Sequence, residues 1–178
     1  VTFDVPAIES DAEIVHSLAK WKRLALKRYD FWMHEGLLTD MNAIRRDEEC
    51  DNIHSIYVDQ WDWEKIITAE DRNMEYLKAT VRSIYGAVLR TAKAVSEAYP
   101  VIVNDLPKQI SFITSAELLD KYPNLTAKQR EYEITKELGA VFIMQIGCKL
   151  QNGEKHDGRA PDYDDWSLNG DIMIYNKV

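Results

Sequence analysis

The chain has 178 residues, of which 46% are hydrophobic, with 22 basic and 30 acidic side chains and a formal net charge of −8 at neutral pH. This length and hydrophobic share are typical of one folded domain and exclude an intrinsically disordered protein. The acidic charge disfavours nucleic-acid and anionic-membrane partners, and no apolar stretch is long enough to cross a bilayer.

The cysteines predict the cellular location of the protein, and the ends of the chain bear on whether it is part of a longer one. Cys50 and Cys148 lie outside any CxxC pair, which favours reduced thiols in a cytoplasmic protein, and no signal peptide precedes the first residues. Strand-like stretches open and close the chain at residues 1–5 and 171–175, whereas a self-contained domain usually ends in surface segments. We therefore expect the chain to be part of something longer.

Hydrophobic spacing predicts helices and strands in an irregular order. In the first half it predicts a strand at 1–5, a helix with Ser17 as N-cap, an antiparallel pair of strands at 37–44 and 54–63, and a long helix at 70–99. In the second half it predicts a strand at 109–114, a helix capped by Ser115, a helix at 126–138 with Gly139 as C-cap, and strands at 140–146 and 171–175. The order predicts an α+β fold with a mostly antiparallel sheet in a single domain over residues 1–178.

The predicted strand at 54–63 carries two polar side chains that share a face. Because side chains alternate along a strand, Gln60 and Asp62 project together. An amide beside a carboxylate suits the ammonium and carboxylate groups of an amino acid. The alternative is a polar pair at a strand end that faces water.

Basic residues cluster along the first predicted helix and at the end of the strand that follows it. For residues 20–28, which include Lys22, a solvated helix face is the simpler interpretation, although a lysine there suits an anionic substrate. Arg45 and Arg46 follow the strand at 37–44, where it meets an acidic loop. A guanidinium at a strand end can bind a phosphate through two hydrogen bonds, although this position alone is not specific for such a site.

The segment 155–166 is the most unusual in the chain, with four aspartates within nine residues beside an arginine, a histidine and two aromatic residues. Mg²⁺ usually binds through one or two carboxylates together with substrate phosphates, and the alternative is an exposed acidic loop. Pro161, Tyr163 and Trp166 favour an ordered loop. The chain has no Walker A, GxGxxG, GxSxG or HExxH motif.

Five stretches carry longer motifs: VHSLAKWKR at 15–23, HEGL at 34–37, HSIYVDQWDWE at 54–64, LGAVF at 138–142 and HDGRAPDYDDW at 156–166. Together they resemble the ammonia-dependent asparagine synthetases, the aspartate–ammonia ligases without a glutaminase domain, through almost the whole chain. The resemblance implies the catalytic fold of class II aminoacyl-tRNA synthetases, an antiparallel sheet flanked by helices, in a homodimer. It also implies an enzyme that uses Mg²⁺ and ATP to convert L-aspartate into β-aspartyl-adenylate and pyrophosphate, after which ammonia displaces AMP to give L-asparagine.

The resemblance assigns roles to individual residues. It implies that Arg45 contacts the α-phosphate and acts in catalysis with Lys22 and Asp62. The implied aspartate-binding residues are Ser17, Lys22, Gln60 and Asp62. The implied ATP-binding residues are Arg45, Arg159, Tyr163, Asp164 and Asp171, and the LNGD stretch at 168–171 makes Asp171 the implied Mg²⁺ ligand.

Members of the resembled family are about twice as long as this chain. We therefore expect the chain to be the central part of the catalytic domain, without the family's amino- and carboxyl-terminal segments, and to be inactive by itself. The alternative function is a non-catalytic homologue or fragment that binds aspartate or AMP in a regulatory role. A tRNA-charging enzyme is disfavoured because the chain is acidic and carries no anticodon-binding domain.

Overall fold

A computed structural model describes residues 2–13, 18–45, 48–52, 54–160 and 164–176. The elements, in chain order, are β1 (Thr2–Val5), a 3-10 turn (Pro6–Ile8), β2 (Ser10–Glu13), α1 (Ala19–Arg28), β3 (Gly36–Ile44), β4 (Tyr57–Lys65), α2 (Met74–Ala98), β5 (Ser111–Thr114), α3 (Ser115–Lys121), α4 (Ala127–Leu138), β6 (Ala140–Met144) and β7 (Gly170–Ile174). The α+β class is confirmed. None of the helices in these ranges is both long and apolar enough to cross a membrane.

The strands described form three small sheets rather than the one sheet expected. Among the four pairings in these ranges, only β5 with β6 is parallel. The chain divides into two compact units, Val1–Ala69 and Glu70–Val178. Each unit is described by itself below, and a single domain stays a prediction.

The first unit contains the pairs β1–β2 and β3–β4 together with α1. The predicted pairing of the two long strands is confirmed, with Thr39 opposite Asp62 in the register. β4 begins at Tyr57 rather than at residue 54. Helix α1 packs against β3 and β4 and buries Ala19, Lys22, Ala25 and Leu26, which follow the helical spacing of three and four residues.

The second unit has a three-stranded sheet in the order β5–β6–β7. All five residues of the central strand β6 are buried, as its continuous apolar run predicts. Because side chains alternate along a strand, Phe142 and Met144 join a cluster with Val81 and Tyr85 of α2, while Val141 and Ile143 join Leu118 and Ile134 of α3 and α4. The sheet is thus buried between α2 on one side and the α3–α4 pair on the other.

Two of these helices, α3 and α4, have a capping box at their N-terminus. The predicted capping box at Thr126 and Gln129 is confirmed, and Gly139 ends α4 with a positive φ of 75°. The prediction of Ser115 as the N-cap of α3 is wrong by one residue. Thr114 is the N-cap and forms a capping box with Glu117, whereas the Ser115 hydroxyl donates a hydrogen bond to the Gln145 carbonyl.

Other predicted boundaries differ by a few residues. The long helix begins at Met74 with Asn73 as its N-cap, and β5 begins at Ser111. The pattern did not predict β2, which has a single half-buried residue in its four. Helix α1 has Leu18 at its N-cap position without a side-chain cap, and Ser17 lies outside the described residues.

Candidate functional site

The first candidate cluster centres on Lys22, a lysine of α1 whose side chain is fully buried. Its Nζ lies 2.5 Å from the Asp62 Oδ2 of β4 and donates a hydrogen bond to the Thr39 Oγ1 at 3.4 Å. The Thr39 hydroxyl in turn donates to the Asp62 backbone carbonyl at 3.2 Å. A buried ammonium is costly without such partners, so the three residues hold each other in one arrangement.

The strand positions explain why this cluster forms. Along β4, residues Val58, Gln60, Asp62 and Glu64 are half-buried and alternate with exposed neighbours, so they share the face toward α1. Asp62 itself is 17% exposed, and the oxygen that contacts Lys22 is Oδ2. A carboxylate has a second oxygen that can accept a hydrogen bond from a positively charged group, and the half-buried Gln60 lies on the same face of β4.

Arg45 lies directly after β3 and is exposed. Its backbone N–H donates to the Ile56 carbonyl at 2.7 Å, which continues the β3–β4 ladder by one step. Because Arg45 is six residues beyond Thr39, the rise of a strand separates the two Cα atoms by about 20 Å. The structure therefore brings Lys22 and Asp62 together but does not place Arg45 in their cluster.

The second candidate cluster is in the second unit. The Arg159 guanidinium makes a short hydrogen bond to the Asp171 Oδ2 of β7 and a second ion pair to Asp157 at 3.1 Å. Gly170 permits this position of Asp171, because a Cβ at residue 170 would come within 2.3 Å of the Ile143 carbonyl oxygen. A larger residue there would force β7 away from β6.

Burial raises the pKa of the Asp171 carboxyl above its ordinary value, although the Arg159 charge opposes the shift. Glu131 and Asp157 reinforce it through like-charge repulsion. A further cation near Asp171 would stabilise the charged form of this partly buried carboxylate. No three His, Cys, Asp or Glu side chains gather closely enough to hold a metal ion by themselves in the ranges that the structure describes.

Of the other predicted site residues, the structure describes Asp164 but not Tyr163 or Ser17. Asp164 is half-buried, and its backbone N–H donates to the Ala160 carbonyl at 3.0 Å. Tyr163 and Ser17 lie outside the described residues. The structure thus brings together Arg159 and Asp171 of the predicted ATP-binding residues.

The sequence patterns did not point to three residues that lie at or near the two candidate clusters: Thr39, His156 and Glu131. Thr39 was not named, although the predicted strand pairing puts a residue of that strand opposite Asp62. His156 was mentioned only as a neighbour of the four aspartates, yet its ring is buried and its Nε2 donates a hydrogen bond to the Glu131 carboxylate at 2.8 Å. No sequence pattern connects these two positions, which are 25 residues apart.

Comparisons with known proteins address the identity of this arrangement. The family model of aspartate–ammonia ligase matches residues 1–178. Proteins named aspartate–ammonia ligase are 65% identical in Clostridium perfringens over 176 residues, 63% identical in Clostridium tetani over 170 residues and 61% identical in Fusobacterium nucleatum over 174 residues.

These matches differ in how much of each protein they cover. They include 98%, 96% and 98% of this chain but 52%, 50% and 53% of the relatives. The chain therefore spans about half the length of the curated relatives it matches. The match along the whole chain, at this identity, is decisive for family membership: the chain belongs to the aspartate–ammonia ligase family.

Proposed function

We propose that the chain forms the central part of the catalytic domain of an enzyme that makes L-asparagine from L-aspartate, ammonia and ATP. In this reaction the aspartate side-chain carboxylate attacks the α-phosphate of ATP, and β-aspartyl-adenylate and pyrophosphate form. Ammonia then attacks the activated carbonyl carbon, and AMP leaves with the electrons of the broken C–O bond. The carboxylate needs this activation because it is a poor acyl donor.

The buried Lys22–Asp62 pair in a member of this family is the observation that carries the proposal. The Asp62 carboxylate, which contacts Lys22 through Oδ2, is the proposed partner of the α-ammonium of aspartate, and Gln60 offers an amide on the same face of β4. Lys22 holds the carboxylate in place and neutralises part of the local negative charge. Ser17 completes the proposed aspartate-binding residues.

Arg45 is the proposed contact to the α-phosphate. The attack of a carboxylate on a phosphate brings two anions together, so a fixed guanidinium at that point stabilises the charge of the transition state. Its exposure leaves it free to reach a ligand. Arg159, Tyr163, Asp164 and Asp171 form the proposed remainder of the ATP site.

Mg²⁺ is the proposed metal, with Asp171 as its protein ligand. The donor chemistry fits, because Mg²⁺ binds through one or two carboxylates and takes its other ligands from phosphates and water, and Asp171 is a partly buried carboxylate near further acidic groups. When bound, the metal would neutralise phosphate charge. Arg159 orients the Asp171 carboxylate through a hydrogen bond.

The finer fold and assembly are part of the same proposal. We place the chain in the catalytic core of the class II aminoacyl-tRNA synthetase type, as a single domain within a cytoplasmic homodimer. Antiparallel pairing in β3–β4 and β6–β7 supports this core. Nucleic acid and membranes are not proposed partners.

The test uses two proteins: the 178-residue chain, and a chimera in which it replaces the matched stretch of the Clostridium perfringens ligase. We expect the chimera to form asparagine and AMP only when aspartate, ammonia and ATP are all present, and the short chain to form none. Binding of aspartate or AMP by a folded chimera without turnover would contradict the proposal and support a non-catalytic, regulatory role.

A further inference from the structure

The long loop between β6 and β7 contacts α4 through a buried side chain, His156. The imidazole is fully buried, and its Nε2 donates a hydrogen bond to the Glu131 carboxylate of α4 at 2.8 Å. Within the part of the chain that the structure describes, the buried Nδ1 of the same ring has no hydrogen-bond partner. The contact with Glu131 therefore fixes the ring, because a buried polar group is costly to leave unpaired.

The choice of a polar pair at this point indicates that the direction of the loop matters. Two apolar side chains would hold the loop on α4 without removing an imidazole and a carboxylate from water. A hydrogen bond differs from an apolar contact because its strength depends on the angle between donor and acceptor. The pair formed by His156 and Glu131 thus sets the orientation of the loop as well as its attachment.

The two residues that follow His156 hold the guanidinium of Arg159. Asp157 accepts a hydrogen bond from the Gly158 N–H at 2.7 Å through Oδ1, and from the Arg159 Nη1 at 3.1 Å through Oδ2. The Gly158 carbonyl accepts a third hydrogen bond, from the same Nη1, at 3.3 Å. The acceptors of these bonds come directly after the buried histidine, so its anchor also determines where the guanidinium lies.

The other end of the guanidinium reaches β7, where Nη2 of Arg159 donates to the Asp171 Oδ2. Glu131 is near this carboxyl as well, because its negative charge contributes to the raised pKa of Asp171. One series of contacts thus leads from Glu131 on α4, through the loop, to Asp171 on β7. A shift of the loop at its anchor would move Arg159 relative to Asp171.

We propose that His156 and Glu131 are positioning residues for the nucleotide site, because their hydrogen bond sets the loop so that Arg159 meets Asp171 where ATP binds. This inference rests on the proposed function, which assigns ATP to Arg159 and Asp171. The imidazole and the Glu131 carboxylate themselves touch no substrate. Loss of their hydrogen bond should weaken ATP binding and leave aspartate binding, assigned to residues of the first unit, unchanged.

Steady-state kinetics of the Clostridium perfringens chimera test the proposal with two amides of different length. His156→Asn is too short to reach Glu131 and should raise the KM for ATP by about 10–100-fold, the usual effect of losing a residue that orients a ligand-binding group. The KM for aspartate should stay at the parental value. His156→Gln places an amide N–H near the former Nε2 and should restore most of the affinity for ATP. An equal rise in both KM values, or no difference between the two amides, would overturn the proposal.

Two further variants separate positioning from loss of stability. Ile134→Val, at a buried position of α4, should lower the free energy of unfolding without changing the KM for ATP. A rise in that KM like the one in His156→Asn would overturn the proposal, because instability would explain both. In a chimera with Arg159→Ala, adding His156→Asn should raise the KM for ATP no further. A full additional rise would show that His156 does not act through Arg159.

Modification of arginine by phenylglyoxal tests the anchor without turnover, in the 178-residue chain and in the chimera. Arg159 should react faster with His156→Asn than in the parent, because its guanidinium is released. Arg28, exposed at the end of α1, is the control and should react equally in both. Faster modification in a chimera that makes no asparagine would support the anchor and contradict the proposed function. An unchanged rate at Arg159 in an active chimera would overturn the inference and leave the proposed function standing.

Discussion

In the second unit, large aliphatic and aromatic side chains fill both sides of β6. In the first unit the space under α1 holds mainly small residues, Ala19, Ala25 and Ala43 with Leu26, and the buried ammonium of Lys22. Burial of apolar groups stabilises a fold in proportion to their area, whereas a buried ion pair contributes little net stability. The second unit is therefore built for stability, and the first accommodates a charged pair at some cost to it.

The largest expected effect tests the stability side of this contrast. Ile143 in β6 is fully buried, and Ile143→Ala should lower the free energy of unfolding by about 2–5 kcal/mol. Urea denaturation followed by circular dichroism measures the loss. Leu26→Ala in α1 is the matched substitution in the first unit and should cost less, because its neighbours are small; equal losses would contradict the contrast.

Arg45→Ala tests whether the first unit contributes to the proposed chemistry. The substitution should reduce aspartate-dependent ATP–pyrophosphate exchange by the chimera by about 10²–10³-fold, the usual effect of losing one transition-state donor. The unfolding free energy should stay close to that of the parent, because the side chain is exposed. Arg28→Ala, an exposed arginine at the end of α1, is the control. Exchange at the parental rate would reject the assignment of Arg45.

Asp62→Asn separates aspartate binding from ATP binding. The change deletes a charge that pairs with Lys22 and is proposed to pair with the substrate ammonium, a loss of about 1.5–3 kcal/mol. The KM for aspartate should therefore rise by more than the KM for ATP.

The matched control is Asp59→Asn, on the opposite face of β4, which should leave both constants unchanged. A double variant, Lys22→Met with Asp62→Asn, should recover unfolding free energy lost in Asp62→Asn without recovering aspartate use. If only the KM for ATP rose in Asp62→Asn, this residue would belong to the nucleotide site.

A smaller effect is expected at the caps of the second unit. Thr114→Ala removes the acceptor for the Glu117 backbone N–H and should lower the free energy of unfolding by about 0.5–2 kcal/mol. Thr114→Ser keeps a hydroxyl and should retain most of that stability. Equal unfolding free energies for the alanine and serine variants would show that the capping box does not stabilise α3.

The smallest effect concerns an ion pair at the surface. Hydrogen bonds from Ser167 and Arg72 lower the pKa of Asp165 from 3.8 to about 2. The carboxylate therefore stabilises the folded state above pH 3.8, and this stabilisation is lost as the pH falls toward 2. Because Arg72 is 66% exposed, the contribution is less than about 1 kcal/mol. Acid titration of unfolding should show a shallower slope for Asp165→Asn, and an unchanged slope would argue against the pair.

Sequence patterns predicted the long, regular parts of this molecule well. The pairing of β3 with β4, the helix α4 with its capping box, and the apolar strand β6 depend on local spacing, and each is confirmed. The division of the strands into separate sheets could not be predicted, because it depends on contacts between residues far apart in the chain. The missed strand β2 has almost no buried residues to produce an alternating pattern.

The candidate site divides in the same way. Gln60 and Asp62 were placed on one face by alternation alone, and that shared face is confirmed. The burial of Lys22 was hidden by its basic neighbours, which gave residues 20–28 the pattern of a solvated helix face. The end of a predicted strand drew attention to Arg45, but only the family resemblance gave roles to Arg45, Arg159 and Asp171. The contact of His156 with Glu131 depends on the packing of a loop on α4, for which single-sequence patterns contain no signal.

The parallel pairing of β5 with β6 has a consequence for the order of folding. Its strands are joined by a crossover that contains α3 and α4, so the pairing must close a long segment of chain, which slows folding. Each of these helices has a capping box at its N-terminus, at Thr114 and at Thr126, formed by hydrogen bonds between residues three positions apart. Helices that form locally shorten the flexible part of the crossover. The caps therefore help to set the rate at which β5 finds β6, in addition to the stability of the finished sheet.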